Sequence, residues 1–280
     1  MTGSYVPFVI LCDPRTGSNW LTQALNSSRH IICFREVFNF NHNFVQFNAD
    51  GYDDFSNSDL ALRTKDPVRF LDERVYGHHP QEVQAVGCKL IQGQQWGFQG
   101  LIQRLSEDSQ IRVLRLERHN LLRSLVSLKI ARHTGVWMMD RKPLFSRSNA
   151  LMAFRDPLKA VSRLRIRFTP PSRRSETGRR RKTVNVSPRE LYEYIIKSRE
   201  KASRFDKLFR QHPKFAVSYE EMIEKPEEIL GQVQTFLGVE RMKLTTTIRQ
   251  QNPEPLAELI GNYGELAEAY KDTQHVWMLS

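Results

Sequence analysis

The 280-residue chain is basic, with 42 Lys and Arg residues against 31 Asp and Glu and a net charge of +11. Its hydrophobic content of 40% can bury a core, and we expect a single domain over residues 1–280. Three cysteines without metal-ligand spacing argue against a disulfide framework or a zinc site. The apolar run at residues 6–11 is too short to span a bilayer and has no basic leader, so we predict a cytoplasmic protein without a membrane span.

Strand and helix signals alternate along the first half of the chain. In order, they predict a strand at Tyr5–Leu11, a helix through Trp20, Leu21 and Leu25, strands at Ala85–Ile91 and Ile111–Leu116, and a helix at about Asn120–Ala131. Strands that are separated by helices form parallel sheets covered on both faces. The pattern therefore predicts an α/β fold with a central parallel β-sheet flanked by helices.

The second half carries clearer helix boundaries. Ser187, Pro188 and Glu190 form a capping-box signature with proline at the first helical position, which predicts a helix running to Phe209. Beyond it the pattern predicts a short strand at Phe215–Ser218, a helix at Pro226–Leu237 stopped by Gly238, and a final helix around Leu256–Tyr270.

One segment makes the protein basic. Residues 141–182 contain fourteen Lys and Arg residues against Asp156 and Glu176 alone. Residues 169–183 include two prolines and a glycine and show no periodicity, so we predict a flexible excursion at about 141–183. Nucleic-acid or polyanion binding through 141–182 is therefore an alternative function, although the chain has no recognised nucleic-acid fold pattern.

The residues between the first strand and the first helix favour an anion. Free backbone N–H groups and the helix dipole meet at such a junction. Gly17 allows close backbone approach, Thr16, Ser18 and Asn19 add side-chain donors or cap the helix, and Arg15 adds a fixed positive charge. An ordinary capped turn is the alternative. A nucleotide kinase is a poorer match, because its loop requires Gly-Lys followed by Ser or Thr.

Pro14-Arg15-Thr16-Gly17-Ser18 resembles the 5′-phosphosulfate loop of sulfotransferases that use 3′-phosphoadenosine 5′-phosphosulfate (PAPS). The resemblance extends to most of the chain and is closest to the bacterial branch that includes the rhizobial Nod-factor sulfotransferase. The further matching blocks are Gly87–Leu90, Arg118–Asn120 with Leu122, Ser124 and Ser127, Arg132–Trp137, Ser218–Met222, Phe236–Gly238, Arg249–Gln251 and Pro255-Leu256. The resemblance implies the P-loop-like sulfotransferase fold.

It also implies a set of donor-binding residues. The phosphosulfate end would be held by Arg15, Thr16, Gly17, Ser18, Asn19 and Trp20. Arg118 and Ser127 would hold the 3′-phosphate. Many family members separate this arginine and serine by eight positions, whereas nine separate Arg118 from Ser127, so Ser124 remains an alternative partner. The alternative is that Ser124 and Ser127 are hydroxyls on the helix surface without a functional role.

The resemblance places a catalytic base at Glu36, where the carbohydrate-type branch carries it. Aryl and steroid sulfotransferases instead use a histidine two residues after a strand lysine, and Ile91 stands at that position here. Lys89 and Arg15 would lie near the transferring group and supply positive charge. The alternatives are an exposed, ion-paired Glu36 and a Lys89 side chain that extends into solvent.

The implied reaction transfers the sulfuryl group of PAPS to a hydroxyl or amino group of a carbohydrate or polar small molecule, releasing 3′,5′-adenosine bisphosphate. Trp137, His133 and Gln94 are expected on the acceptor side, with the basic excursion as a mobile flap over it. A buried Trp137 is the alternative. We expect no metal, because sulfate carries less charge than a triphosphate, and no nucleic-acid partner; a homodimer remains open.

Overall fold

The computed structural model describes residues 5–39, 56–93, 97–138 and 182–280. These residues form a five-stranded sheet and the helices around it. The strands are β1 (Val6–Cys12), β2 (Ile31–Phe34), β3 (Ala85–Ile91), β4 (Arg112–Glu117) and β5 (Lys214–Ser218). Their order across the sheet is β2-β3-β1-β4-β5, and every neighbouring pair is parallel. The predicted α/β class is confirmed. Gln94 and residues 141–181 of the predicted excursion lie outside the described residues.

Helices and short turns connect these strands. The described helices are α1 (Ser18–Leu25), α2 (Asn57–Lys65), α3 (Pro67–Phe70), α4 (Leu101–Glu107), α5 (Leu121–Thr134), α6 (Pro188–Leu208), α7 (Tyr219–Glu224), α8 (Pro226–Leu237), α9 (Leu256–Leu259) and α10 (Tyr263–Tyr270). A π turn at Leu71–Val75 follows α3, and a 3₁₀ turn at Val276–Leu279 follows α10.

The central strand β1 is buried on both faces. Phe8, Ile10 and Cys12 pack into one hydrophobic cluster, whereas Val9 and Leu11 pack into another on the opposite face. This alternation follows from the two-residue period of a strand. A third cluster joins α5, α6 and the C-terminal helices. The loop that follows β1 therefore begins at a strand that is packed on both faces.

The predicted elements in both halves match the structure closely, with one correction at the C-terminal end. The single helix predicted around Leu256–Tyr270 is wrong, because the chain forms two short helices there. Ile260 is extended and bridges to Val184. A side chain at Gly261 would bring its Cβ to 2.4 Å from the Asn185 Oδ1 atom. The close approach of residues 184–185 interrupts the helix.

The start of α6 confirms half of the predicted capping box. The Ser187 hydroxyl accepts a hydrogen bond from the Glu190 backbone N–H at 3.1 Å. The Glu190 carboxylate instead accepts hydrogen bonds from Lys129 Nζ at 2.6 and 2.7 Å. Since Lys129 lies on α5, this contact ties the two helices together rather than closing the cap.

Parallel strands bring all their carboxyl ends to one edge of the sheet, where α/β proteins bind ligands. β1 leads there into residues 13–17, β2 into Glu36, β4 into Arg118 and β5 into Tyr219. Lys89 lies near the carboxyl end of β3, at the same edge of the sheet. Each strand therefore contributes to one region.

Candidate functional site

A cavity of about 400 Å³ opens at the carboxyl edge of the sheet. This size is within the range of small-molecule sites. Its walls come from the loop after β1, the turn after β2, the end of β3, the start and middle of α5, Tyr219, and residues 248–252. The cavity wall thus combines residues that are distant in sequence, including the C-terminal segment 248–252.

The cavity wall is strongly cationic. Its basic side chains are Arg15, Lys89, Arg118, Arg123, Arg132 and Arg249. Among the described lining residues, Glu36 is the single carboxylate. Low-dielectric walls that carry one sign of charge concentrate ligands of the opposite sign. The cavity is therefore suited to an anionic ligand with several charged groups.

The loop between β1 and α1 turns through two left-handed residues, Arg15 at φ +69° and Gly17 at φ +85°. The Thr16 hydroxyl donates to the Asp13 carbonyl at 2.8 Å and closes this turn. The N-cap of α1 is Gly17, which has no side chain to accept from the first N–H groups of the helix, and Ser18, Asn19 and Trp20 of its first turn line the cavity. Such an uncapped helix start is an anion-binding arrangement.

Gly17 is required by space as well as by backbone angle. A Cβ atom added there would lie 2.6 Å from the Tyr219 ring. The same ring carries the Arg118 guanidinium, which lies 4.3 Å from the ring centroid. The Tyr219 ring therefore contacts both the loop after β1, at Gly17, and the segment after β4, at Arg118. Tyr219 belongs to the block Ser218–Met222 that resembles the family, and the resemblance implied no role for it.

Arg15 does not extend freely into the cavity. Its guanidinium donates to Ser127 Oγ at 3.0 Å, to the Trp137 carbonyl at 2.6 Å and to the Gln251 side-chain carbonyl. Burial, and then the nearby charge of Arg118, lowers the pKa of Arg15. A bound anion would relieve both effects. Arg15 thus joins the loop after β1 to α5 and to the C-terminal segment.

Arg118 lies beside Arg15 at the end of β4. Its Nη1 atom donates to the Arg15 carbonyl at 3.1 Å, and burial lowers the pKa of its side chain. A guanidinium stays charged despite such a shift. Arg15 and Arg118 are half-buried neighbouring cations that repel each other, and an anion bound between them would offset this repulsion.

The structure distinguishes the two candidate serines of α5. Ser127 lines the cavity, and its hydroxyl accepts hydrogen bonds from Arg15 Nε at 3.0 Å and from Asn252 Nδ2 at 3.3 Å. Because its lone pairs are used, its proton is available to a ligand. Ser124 is buried outside the cavity wall, and its Oγ has no hydrogen-bond partner among the described residues.

Glu36 and Lys89 form an ion pair at the floor of the cavity. The Lys89 Nζ and Glu36 Oε1 atoms are 2.9 Å apart, with the side chains 1% and 15% exposed. Lys89 also donates to Asn19 Oδ1, and Asn39 Nδ2 donates to Glu36 Oε2 at 2.9 Å. The alternative of a solvent-extended Lys89 is wrong. The lysine therefore joins the Glu36 carboxylate to Asn19 at the start of α1.

The predicted acceptor-side residues differ in their placement. Trp137 lines the cavity and is 37% exposed, so its alternative as a buried tryptophan is wrong. His133 is exposed near the end of α5 and is not part of the cavity wall. Gln94 lies outside the described residues. The cavity wall also contains Arg123, Ile248 and Asn252, which neither periodicity nor a local motif marks in the sequence.

The described ranges contain neither a cluster of potential metal ligands nor a helix that could span a membrane. No group of three or more His, Cys, Asp or Glu residues there is arranged to hold a metal ion. No helix in those ranges is both long and apolar enough to cross a membrane.

Comparisons with known proteins add to this geometry. The sequence profile of the sulfotransferase family matches residues 7–243. Nodulation protein H of Rhizobium tropici is 29% identical over 265 residues, which cover 93% of this chain and 87% of that protein.

Two solved structures are also similar. A sulfotransferase from Alicyclobacillus acidocaldarius has a TM-score of 0.46 and 15% identity, over 98% of this chain and 94% of the other. The sulfotransferase domain from the curacin biosynthetic pathway has a TM-score of 0.40 and 14% identity, over 99% and 84%.

Proposed function

This chain belongs to the sulfotransferase family, and from that premise we propose that it transfers a sulfuryl group from PAPS to a hydroxyl or amino group of a carbohydrate or other polar small molecule. The matches to the family profile and to nodulation protein H confirm the resemblance predicted from the motifs. The identities of donor and acceptor belong to the proposal. They rest on one observation above all, a cavity lined by six cationic side chains and by Ser18, Asn19 and Trp20 at the start of α1.

The donor fits the chemistry of these residues. PAPS carries a phosphosulfate at one end and a phosphate at the other, and the cavity offers cations next to backbone N–H groups. We assign the phosphosulfate to the loop Arg15–Trp20. We assign the 3′-phosphate to Arg118 and Ser127, a choice supported by the available hydroxyl proton of Ser127 and the position of Ser124 outside the wall.

The proton of the acceptor goes to Glu36. The acceptor oxygen forms a bond to sulfur while the bond from sulfur to the bridging oxygen breaks, and the Glu36 carboxylate takes the hydroxyl proton. Lys89 contacts both Glu36 and Asn19, so it supplies positive charge between the base and the donor loop. Asn39 fixes the second carboxylate oxygen.

A carbohydrate acceptor is supported by the similarity to nodulation protein H and to the Nod-factor branch. The cavity wall also presents Trp137 next to polar groups, an arrangement that suits sugar rings. The predicted flap at 141–183 over the acceptor side stays a prediction, as do the single domain, the cytoplasmic location and the homodimer.

Family membership favours this function over the alternatives. The kinase alternative lacks the Gly-Lys of a nucleotide-triphosphate loop, since Ser18-Asn19 follows Gly17. Polyanion binding depends on residues 141–182, of which Lys182 is described and pairs with Glu254 at 2.8 Å.

Ligand-induced stabilisation tests the donor. At a hundred times its dissociation constant, 3′,5′-adenosine bisphosphate should add about 2.7 kcal/mol to the free energy of unfolding. ATP at the same concentration should add far less. Transfer of labelled sulfate from PAPS to a glycan-containing extract then identifies the acceptor. Stabilisation by ATP alone, or activity that EDTA abolishes and magnesium restores, would contradict the proposal.

A further inference from the structure

The proposed base lies on a short turn, Glu36–Asn39, which directly follows β2. The Asn39 N–H donates to the Glu36 carbonyl at 3.1 Å. Val37 and Phe38 are buried in the hydrophobic core and anchor the middle of the turn. The Asn39 side chain is 4% exposed and donates to Glu36 Oε2. The direction of the carboxylate therefore depends on how this turn is held.

A buried guanidinium donates hydrogen bonds to two backbone carbonyls of that turn. Arg63 lies on α2 and its residue is 0% exposed. Its Nη1 atom donates to the Val37 carbonyl at 3.0 Å and to the Asn39 carbonyl at 2.8 Å. The guanidinium also lies over the Phe98 ring, 5.2 Å from its centroid.

The surroundings of Arg63 fix its position. Phe98 packs edge-on against Phe38, with ring centroids 5.5 Å apart, so the same aromatic group contacts both the arginine and the turn. Burial of a guanidinium is costly unless its N–H groups find acceptors, and here two backbone carbonyls of the turn serve as acceptors. A side chain that only filled space would not require a charge.

From this geometry we infer that Arg63 is a positioning residue for sulfuryl transfer, which fixes the turn so that Asn39 aims the Glu36 carboxylate. The inference rests on the proposed role of Glu36 as the base. Arg63 is not part of the cavity wall, so it acts through Val37 and Asn39 without touching either substrate. Its loss should misdirect the base while leaving the donor loop intact.

Two substitutions and a control test this role. Arg63→Met removes the charge and the two hydrogen bonds to the turn, whereas Arg63→Lys keeps the charge and reaches one of these carbonyls. We expect kcat to fall about tenfold to a hundredfold in Arg63→Met, with an intermediate value for Arg63→Lys. The dissociation constant of 3′,5′-adenosine bisphosphate should change by less than about twofold. The control is Arg104→Met, which removes an arginine paired with Asp72 and Asp108 and should leave kcat unchanged.

Amide hydrogen exchange gives a readout that does not depend on turnover. The peptide covering residues 34–39 should exchange faster in both Arg63 variants, while residues 13–25 keep their protection. Unchanged exchange at 34–39 would overturn the inference whatever the activity. If Arg63→Met does not fold, the same comparison uses Arg63→Lys.

A double substitution distinguishes an effect of Arg63 through Glu36 from a general loss of stability. In a Glu36→Gln background, Arg63→Lys should not lower kcat further, because the base that it positions is already absent. Multiplying effects would overturn the positioning role. If Glu36→Gln alone keeps wild-type turnover, the proposed base is wrong. In that case faster exchange at 34–39 with normal kcat in the Arg63 variants would limit Arg63 to fixing the turn and would overturn its role in positioning the base.

Discussion

The two sides of the cavity are built in different ways. The donor side is largely one stretch of chain, residues 13–20, which uses backbone N–H groups and left-handed residues at the end of a buried strand. The base side joins Glu36 after β2, Lys89 of β3 and Arg63 of α2. An anion site can therefore be encoded by consecutive residues, whereas the position of a proton acceptor depends on contacts between distant elements.

The largest expected effect separates the two sides directly. Glu36→Gln keeps the size of the side chain and removes the base, so kcat should fall by at least about two orders of magnitude. Affinity for PAPS should change little, because the assigned donor groups lie elsewhere in the wall. Steady-state kinetics with a binding measurement for 3′,5′-adenosine bisphosphate give both quantities.

This substitution also leaves Lys89 buried without its carboxylate. Breaking such a pair lowers stability by on the order of 3 kcal/mol, so kcat must be normalised to nucleotide-binding sites. Turnover near wild type would direct attention to His133 or His119 as the base. Lost PAPS binding would instead make Glu36 part of the donor side.

Arg118→Ala tests whether Arg118 binds the 3′-phosphate of the donor. A charge-assisted hydrogen bond contributes about 1.5–3 kcal/mol, which corresponds to roughly tenfold to a hundredfold weaker binding of PAPS. Adenosine 5′-phosphosulfate lacks the 3′-phosphate, so its affinity should fall much less. Isothermal titration of both nucleotides provides the comparison, and equal losses would remove Arg118 from the 3′-phosphate site.

Gly17→Ala tests the backbone of the donor loop. The residue has φ +85°, and the new Cβ would lie 2.6 Å from the Tyr219 ring, so the loop must shift. We expect at least about tenfold weaker binding of 3′,5′-adenosine bisphosphate, since left-handed strain alone costs about 1–3 kcal/mol. Gly135→Ala is the matched control, because Gly135 has φ +72° and none of the described residues lies within 4 Å of its added Cβ. Similar losses of affinity in both variants would contradict the role of close packing.

The same contrast explains which features could be predicted from the sequence. The bounds of β3 and α8 are the predicted ones, because long apolar runs and flanking proline and glycine mark them. β2 has four residues, all buried, and such a short run is indistinguishable from part of a helix. α2, α3 and α4 were also missed.

Within the site, a local motif identified Arg15 and Gly17. The contacts that these residues make could not be predicted from the sequence. The Gln251 side chain that accepts from Arg15 lies 236 positions away in sequence. Lys89 was assigned a positive charge near the reaction, and its pairing with Glu36 depends on the neighbouring register of β2 and β3. No periodicity reveals such pairings between separate elements.

The smallest expected effect concerns the frame behind the donor side. The Glu220 carboxylate accepts hydrogen bonds from the backbone N–H groups of His119 and Asn120, both at 3.1 Å. It thereby holds the segment between Arg118 and α5. Burial alone would raise the pKa of Glu220, but these hydrogen bonds and Arg118 outweigh burial, and the pKa is lowered from 4.5.

Glu220→Gln should therefore reduce the free energy of unfolding by about 1 kcal/mol at pH 7, with a smaller loss of nucleotide affinity than Arg118→Ala. Because the pKa is lower in the folded state, the carboxylate stabilises the fold fully above its ordinary pKa of 4.5. This contribution is lost as the pH falls through the lowered value, so the difference between the two proteins should close in acid. Urea unfolding from pH 7 to pH 3 measures it, with Glu221→Gln as the control for loss of charge on α7. A difference that persists unchanged at low pH would show that the carboxylate charge is not what holds the start of α5.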